Sequence, residues 1–114
     1  MEKINLLAAA QAEERLYVYN KIGSLNGHVL SVVNVADRTL DFHVHEQSDE
    51  LFYVIEGSFQ LETDKGLTRL DAGELIIVPR GVRHRPVVGK LARFLMVELA
   101  GTLNKENSGD SYEE

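Results

Sequence analysis

Residues 43–57 read "HVHEQSDELFYVIEG". In an extended strand, side chains two positions apart share a face. His43 and His45 therefore project together, while Val44 points the other way. The polar stretch "EQSD" (46–49) connects to an apolar run, "ELFYVIEG" (50–57), that opens on a carboxylate. On that run Glu50, Phe52, Val54 and Glu56 share one face, and Leu51, Tyr53 and Ile55 share the other. An antiparallel hairpin across 46–49 returns Glu50 to the side of the two imidazoles. Glu46 and Asp49 resemble ligands by composition, yet the spacing selects Glu50 and leaves those two in the turn. Large apolar groups on both faces fit a strand with a core on one side and a covering sheet or subunit on the other.

The rest of the chain has the same texture. Short segments rich in Val, Ile, Phe and Tyr are broken by Gly, Asn and Asp. Strands are expected at 15–23, 28–36, 39–45, 50–57, 58–64, 67–71, 74–79, 83–88 and 92–99, with "DKG" (64–66) and "DAG" (71–73) as turns between adjacent strands. That even spacing predicts an all-β sandwich or barrel. One short helix is expected at 5–14, "NLLAAAQAEE", with Asn5 as its N-cap. The tail at 101–114 is polar and acidic, without periodicity, and is expected to be mobile.

Composition narrows the function classes. A chain of 114 residues suits one domain, and 44% apolar residues suffice for a core. No cysteine is present, so disulfides and thiolate ligands are excluded. No apolar run approaches the ~20 residues that span a bilayer. The N-terminus does not read as a secretory leader, which makes the cytoplasm the expected location. A net charge of −6 argues against a nucleic-acid partner. Arg80, Arg83, Arg85, Lys90 and Arg93 form one basic cluster, read first as a solvated strand face and second as a rim that attracts a small anion.

Residues 73–87, "GELIIVPRGVRHRPV", complete the pattern. Gly73 turns the chain, 74–79 form a strand, and Pro79 and Gly81 stand where a second turn needs them. His84 then opens another strand and can deliver a third imidazole to the same interior. Three imidazoles and a carboxylate suit a divalent first-row ion: Zn, Cu, Fe or Ni by the nitrogens, with Mn, Fe or Co favoured by the oxygen. An octahedral ion would keep two positions for water or substrate, whereas a tetrahedral ion would be closed. Each part has a plainer reading. An HxH pair arises by chance in strands, Glu50 alone is a strand-end charge, and His28 beside the "NGH" turn belongs to no constellation.

These residues resemble the cupin superfamily, in particular its small bacterial single-domain members. The first cupin motif, G-x5-H-x-H-x3,4-E-x6-G, is matched by His43, His45, Glu50 and Gly57, with Asp37 at the leading glycine position. The second, G-x5-P-x-G-x2-H-x3-N, is matched by Gly73, Pro79, Gly81 and His84, with Val88 in place of the asparagine. The resemblance covers about residues 25–100. It implies a conical β-barrel (a double-stranded β-helix or jelly roll) filling a single domain over 1–114. It also implies one divalent transition metal held by His43, His45, Glu50 and His84, and a homodimer. Val88 makes a polar pocket contact apolar, so substrates of cupins that keep the asparagine do not transfer.

Three functions follow. A metal-dependent enzyme would act on a small oxygen-rich or enolisable molecule by dioxygenase, isomerase or lyase chemistry. A binding or sensing module would use the same barrel for a small ligand without turnover. A structural metal protein or dimer would do neither, with Leu51, Tyr53 and Ile55 as its subunit interface. Phe52, Val54, Val78, Val88, Phe94 and Met96 are the candidate pocket walls, or else core. Asp41 shares face parity with His43 and His45 and is the candidate general base, with a supporting or strand-end role as its plainer reading. Tyr17, Tyr19 and Tyr53 are the alternatives.

Overall fold

The computed structural model describes residues 1–102. Helix α1 (Leu6–Gln11) begins at Asn5, whose side chain accepts from the Ala8 N–H. It stops before the acidic pair that was expected to extend it. Asn34 fastens this end by donating to the carbonyls of Ala10 and Glu13.

Nine strands follow among the described residues: β1 (Asn20–Leu25), β2 (His28–Val35), β3 (Arg38–Thr39), β4 (Glu50–Glu56), β5 (Ser58–Thr63), β6 (Gly66–Asp71), β7 (Leu75–Val78), β8 (Arg85–Val88) and β9 (Ala92–Leu99). They form a five-stranded sheet in the order β1-β2-β9-β4-β7 and a four-stranded sheet in the order β3-β8-β5-β6. This is a jelly roll. The two inner faces enclose one apolar cluster that includes Val33, Phe52, Val54, Phe59, Leu61, Leu70, Phe94 and Met96. Strict alternation of burial along β4 and β9 shows how the period of two sorts inward from outward residues.

Two expected strands are shorter than their sequence suggests. Residues 15–19 do not extend β1, because Tyr17 adopts φ 60°, donates its N–H to the Asn34 carbonyl and donates its hydroxyl to the Ala36 carbonyl. Residues 40–45 also leave regular pairing after β3, apart from an isolated antiparallel bridge between His43 and His84.

The hairpin expectations at the site are corrected as well. The segment carrying His43 and His45 continues from β3 in the four-stranded sheet, whereas β4 lies in the five-stranded sheet. Residues 46–49 therefore cross between sheets. The links from β6 to β7 and from β7 to β8 also cross, so "DAG" does not join neighbours. Only β5 and β6 close the expected hairpin, with Thr63 opposite Gly66. No helix among the described residues is long and apolar enough to cross a membrane. The tail expected to be mobile lies outside the described residues from 103 onward.

Candidate metal centre

His43, His45, Glu50 and His84 converge, with one potential ligand atom from each lying within 4.8 Å of all the others. Two sheets supply them. His43 and His84 exchange backbone hydrogen bonds, each N–H donating to the other's carbonyl at 3.0 Å. That bridge sets their rings 4.5 Å apart. Gly81 N–H donates to the His45 carbonyl at 2.9 Å and ties the second turn to the same segment. Glu50 arrives from the facing sheet as the first residue of β4, opposite Val78 on β7. His45, Glu50 and His84 are buried, and His43 is half-buried.

The imidazoles are oriented from behind. His43 Nδ1 lies 3.0 Å from the Asp41 carbonyl, and His84 Nδ1 lies 2.8 Å from the Val82 carbonyl. A carbonyl only accepts, so each Nδ1 carries a proton and each Nε2 is turned to the site. His84 Nε2 lies 2.7 Å from Glu50 Oε1, a contact that needs a proton on Nε2 and holds the imidazole charged. Burial works to lower the His84 pKa, but the Glu50 contact and the Val82 carbonyl raise it on balance. Burial dominates at His43 and lowers its pKa. Burial works to raise Glu50, and the adjacent His45 and His84 outweigh it, bringing the carboxyl down to about 2.

Not every polar atom is satisfied. Glu50 Oε2 and His45 Nε2 stand 3.2 Å apart, yet neither they nor His45 Nδ1 has a hydrogen-bond partner. Buried polar atoms left unpaired cost ~1–3 kcal/mol each. A cation between Glu50 and the imidazoles would satisfy Oε2 and His45 Nε2 together. Two metal–ligand bonds of about 2.1 Å span about 4.2 Å, so the four side chains need only a small closure to fit.

The other candidates fall in different places. Phe52, Val54, Val78, Val88, Phe94 and Met96 all pack in the core cluster. Phe52 reaches the centre, with its ring 6.2 Å from that of His84. Asp41 is exposed, and it is its carbonyl that touches His43. Tyr17 is spent on Ala36, Tyr19 is buried in the core, and Tyr53 faces outward between Leu75 and Leu95. In the basic cluster Arg80 pairs with Asp49, Arg85 with Glu62 and Arg93 with Glu56, while Arg83 lies over the Phe42 ring. Most of the expected positive rim is thus neutralised.

Ser48 and Glu98 are among the buried polar residues that escaped the reading of the sequence. Ser48 accepts from the Leu99 N–H and anchors the crossing to β9. Glu98 is buried on the inner face of β9 in step with Ala92, Phe94 and Met96. The alternation in "ARFLMVEL" carried the signal for Glu98.

The cupin domain family matches residues 29–98, which contain all four converging side chains. The chain belongs to the cupin family. The cupin-2 domain containing protein from Shewanella frigidimarina superposes with a TM-score of 0.80 at 26% identity, covering 84% of this chain and 93% of that one. The "Uncharacterized protein YdbB" of Bacillus subtilis is 34% identical over 82 residues, 71% of this cupin and 72% of the relative. The "Tetracenomycin polyketide synthase protein TcmJ" of Streptomyces glaucescens is 30% identical over 66 residues, 58% of this cupin and 44% of the relative. The match thus spans less than half of that last protein.

Proposed function

We propose that this cupin binds one divalent transition metal (Zn, Fe, Mn, Ni, Co or Cu) through His43, His45, Glu50 and His84. We further propose that it uses the ion on a small oxygen-rich or enolisable molecule. The supporting observation is the convergence of four potential ligand atoms within 4.8 Å of one another, with Glu50 Oε2 and His45 Nε2 buried, 3.2 Å apart and without a hydrogen-bond partner. A bound ion would supply Lewis acidity for isomerase or lyase chemistry, or reactivity toward O₂ if it is redox-active. The protein's part is orientation and exclusion. The Asp41 and Val82 carbonyls aim His43 and His84. Phe52 closes the core side against water, and half-buried His43 leaves the approach for a ligand on its own side. TcmJ is by name a polyketide synthase protein, and polyketides are enolisable and oxygen-rich, the same chemical class.

The second reading is a small-molecule binding or sensing module without turnover. It draws support from where the candidate bases fall: Asp41 is exposed with its carbonyl on His43, Tyr17 donates its hydroxyl to Ala36, and Tyr53 faces outward.

Elemental analysis of protein purified without added metal tests the metal. One equivalent of a transition ion is expected. His45→Ala should abolish or greatly weaken binding, and unchanged metal content in that variant would sink the ligand assignment. Diketones, catechols and sugar phosphates, offered with and without O₂, separate the readings. Turnover supports the enzyme, and saturable binding without turnover supports the sensor.

The proposed partner is a second copy of the chain. Cross-strand rows Leu30–Val97–Leu51–Ile77 and Val32–Leu95–Tyr53–Leu75 run across the outer face of the five-stranded sheet. Leu75 and Ile77, on the edge strand β7, are 54% and 55% exposed.

A further inference from the structure

Two crossings between the sheets deliver the converging side chains, and they run side by side. Residues 46–49 carry the chain from His45 to Glu50, the first residue of β4 in the five-stranded sheet. Residues 79–83 carry it back from Val78, the last residue of β7, to His84 beside the four-stranded sheet. Pairing of Glu50 with Val78 joins the crossings at one end, and the bridge of His43 to His84 joins them at the other. Between those ends, the separation of Glu50 from the imidazoles depends on contacts from one crossing to the other.

Gly81 makes one such contact, its N–H donating to the His45 carbonyl at 2.9 Å. Asp49 makes another. Its Oδ1 accepts the backbone N–H of Arg80 at 2.9 Å and the Arg80 Nε–H at 3.3 Å, 31 residues along the chain. Asp49 is itself held from behind. Ser48 Oγ donates to the Asp49 carbonyl at 2.7 Å and accepts the Leu99 N–H of β9 at 3.0 Å. The immediate neighbour of Glu50 is thus clipped to the turn that leads into His84. Both side chains of the ion pair are exposed, and exposed ion pairs contribute little. The backbone N–H is the partner with leverage, because it fixes the turn itself and not the end of a long side chain.

We propose that Asp49 is a positioning residue of the metal centre. By capping the Arg80 N–H it locks the two crossings together and holds Glu50 at ligating separation from His45 and His84 before an ion arrives. Preorganisation of this kind raises affinity by sparing the ordering cost of binding. The inference rests on the metal reading above, and one arm of its test does not need the metal.

The first arm is amide hydrogen exchange on the metal-free protein. Asp49→Ala should speed exchange at Arg80 and Gly81, while the bridging amides of His43 and His84 stay as protected as in the wild type. Unchanged exchange at Arg80 and Gly81 would overturn the clip. The second arm is Co²⁺ titration. Asp49→Ala should still bind one ion, with a changed visible spectrum and about three- to tenfold lower affinity, the worth of one such hydrogen bond. Asp49→Asn keeps an acceptor oxygen and Arg80→Ala keeps the backbone N–H, so both should bind nearly as the wild type does. A loss in those two as large as in Asp49→Ala would assign the effect to the ion pair and overturn the proposal. Wild-type affinity and spectrum in Asp49→Ala would overturn it equally and leave the metal reading standing. A wild type that binds no Co²⁺ would fail the metal reading itself, and the positioning role with it.

Discussion

His43 and His84 face each other across one backbone bridge and yet respond to pH in opposite senses. Glu50 faces His84 and holds its proton, whereas burial without such a contact strips His43 of its own. In the metal-free protein, NMR titration should find His84 losing its proton above the usual imidazole value of 6.5 and His43 below it. The reverse order would show that the carboxylate is aimed at the wrong ring. His84, raised, adds stability that is full below 6.5 and is lost as pH rises through its folded value. His43, lowered, adds stability above 6.5 that is lost as pH falls. The two oppose each other near neutrality. Glu50 acts at lower pH. Unfolded, it takes up its proton near 4.5, and folded, near about 2, so its contribution is full above 4.5 and drains away as pH falls toward 2. Glu50→Gln should flatten the loss of stability between pH 5 and 3, as read by urea unfolding. Metal affinity should fall as pH drops through the imidazole range, because protons compete for the imidazoles.

At the level of elements, the centre depends on links that change sheets. Gly57 shows how tight one of them is. It joins β4 to β5 with φ at 82°, and a Cβ there would stand 2.5 Å from the Leu91 carbonyl oxygen. Gly57→Ala combines a left-handed backbone with that clash and should cost at least ~2 kcal/mol, checked by chemical denaturation. The glycine therefore serves the crossover, although the family motif presents it as part of the metal pattern. Below the centre, Phe94 stacks on Phe59 with centroids 5.1 Å apart and meets Phe52 at 5.7 Å. Phe94→Ala should cost about 3–5 kcal/mol. It should also loosen the metal through Phe52, which touches His84. A drop in stability with unaltered metal affinity would show that the core and the centre are mechanically separate.

For the whole molecule, the outer face of the five-stranded sheet is partly covered by α1 and otherwise apolar across β2, β9, β4 and β7. A stable homodimer buries roughly 1,600 Å² in total, within reach of a face this broad. Ile77→Glu places a charge at its exposed edge and should give a monomer by sedimentation analysis, with one metal ion still bound per chain. An unchanged mass would remove this face from the interface. An ion that binds only the folded chain also stabilises it by mass action. At a hundredfold excess over Kd, the gain is about 2.7 kcal/mol, or roughly 10 °C in Tm.

Local rules reach far in this chain. The period of two places Glu50, Phe52 and Val54 inward, and Asn5 caps its helix as its side chain predicts. The spacing of His43, His45, Glu50 and His84 marks side chains that do meet. These features depend on residues near one another in sequence or on a motif with fixed intervals, and the chain states both directly. What the tertiary structure decided is which sheet each segment joins. Residues 46–49 read equally well as a hairpin or as a crossing, because turn chemistry sets direction and not destination. Tyr17 leaves the strand for hydrogen bonds to Asn34 and Ala36, partners that only the fold brings close. Three of the five residues of the basic cluster, Arg80, Arg85 and Arg93, are paired with carboxylates distant in sequence. Pairing between remote segments is settled by the packing of the whole core, and no local stretch of sequence contains it.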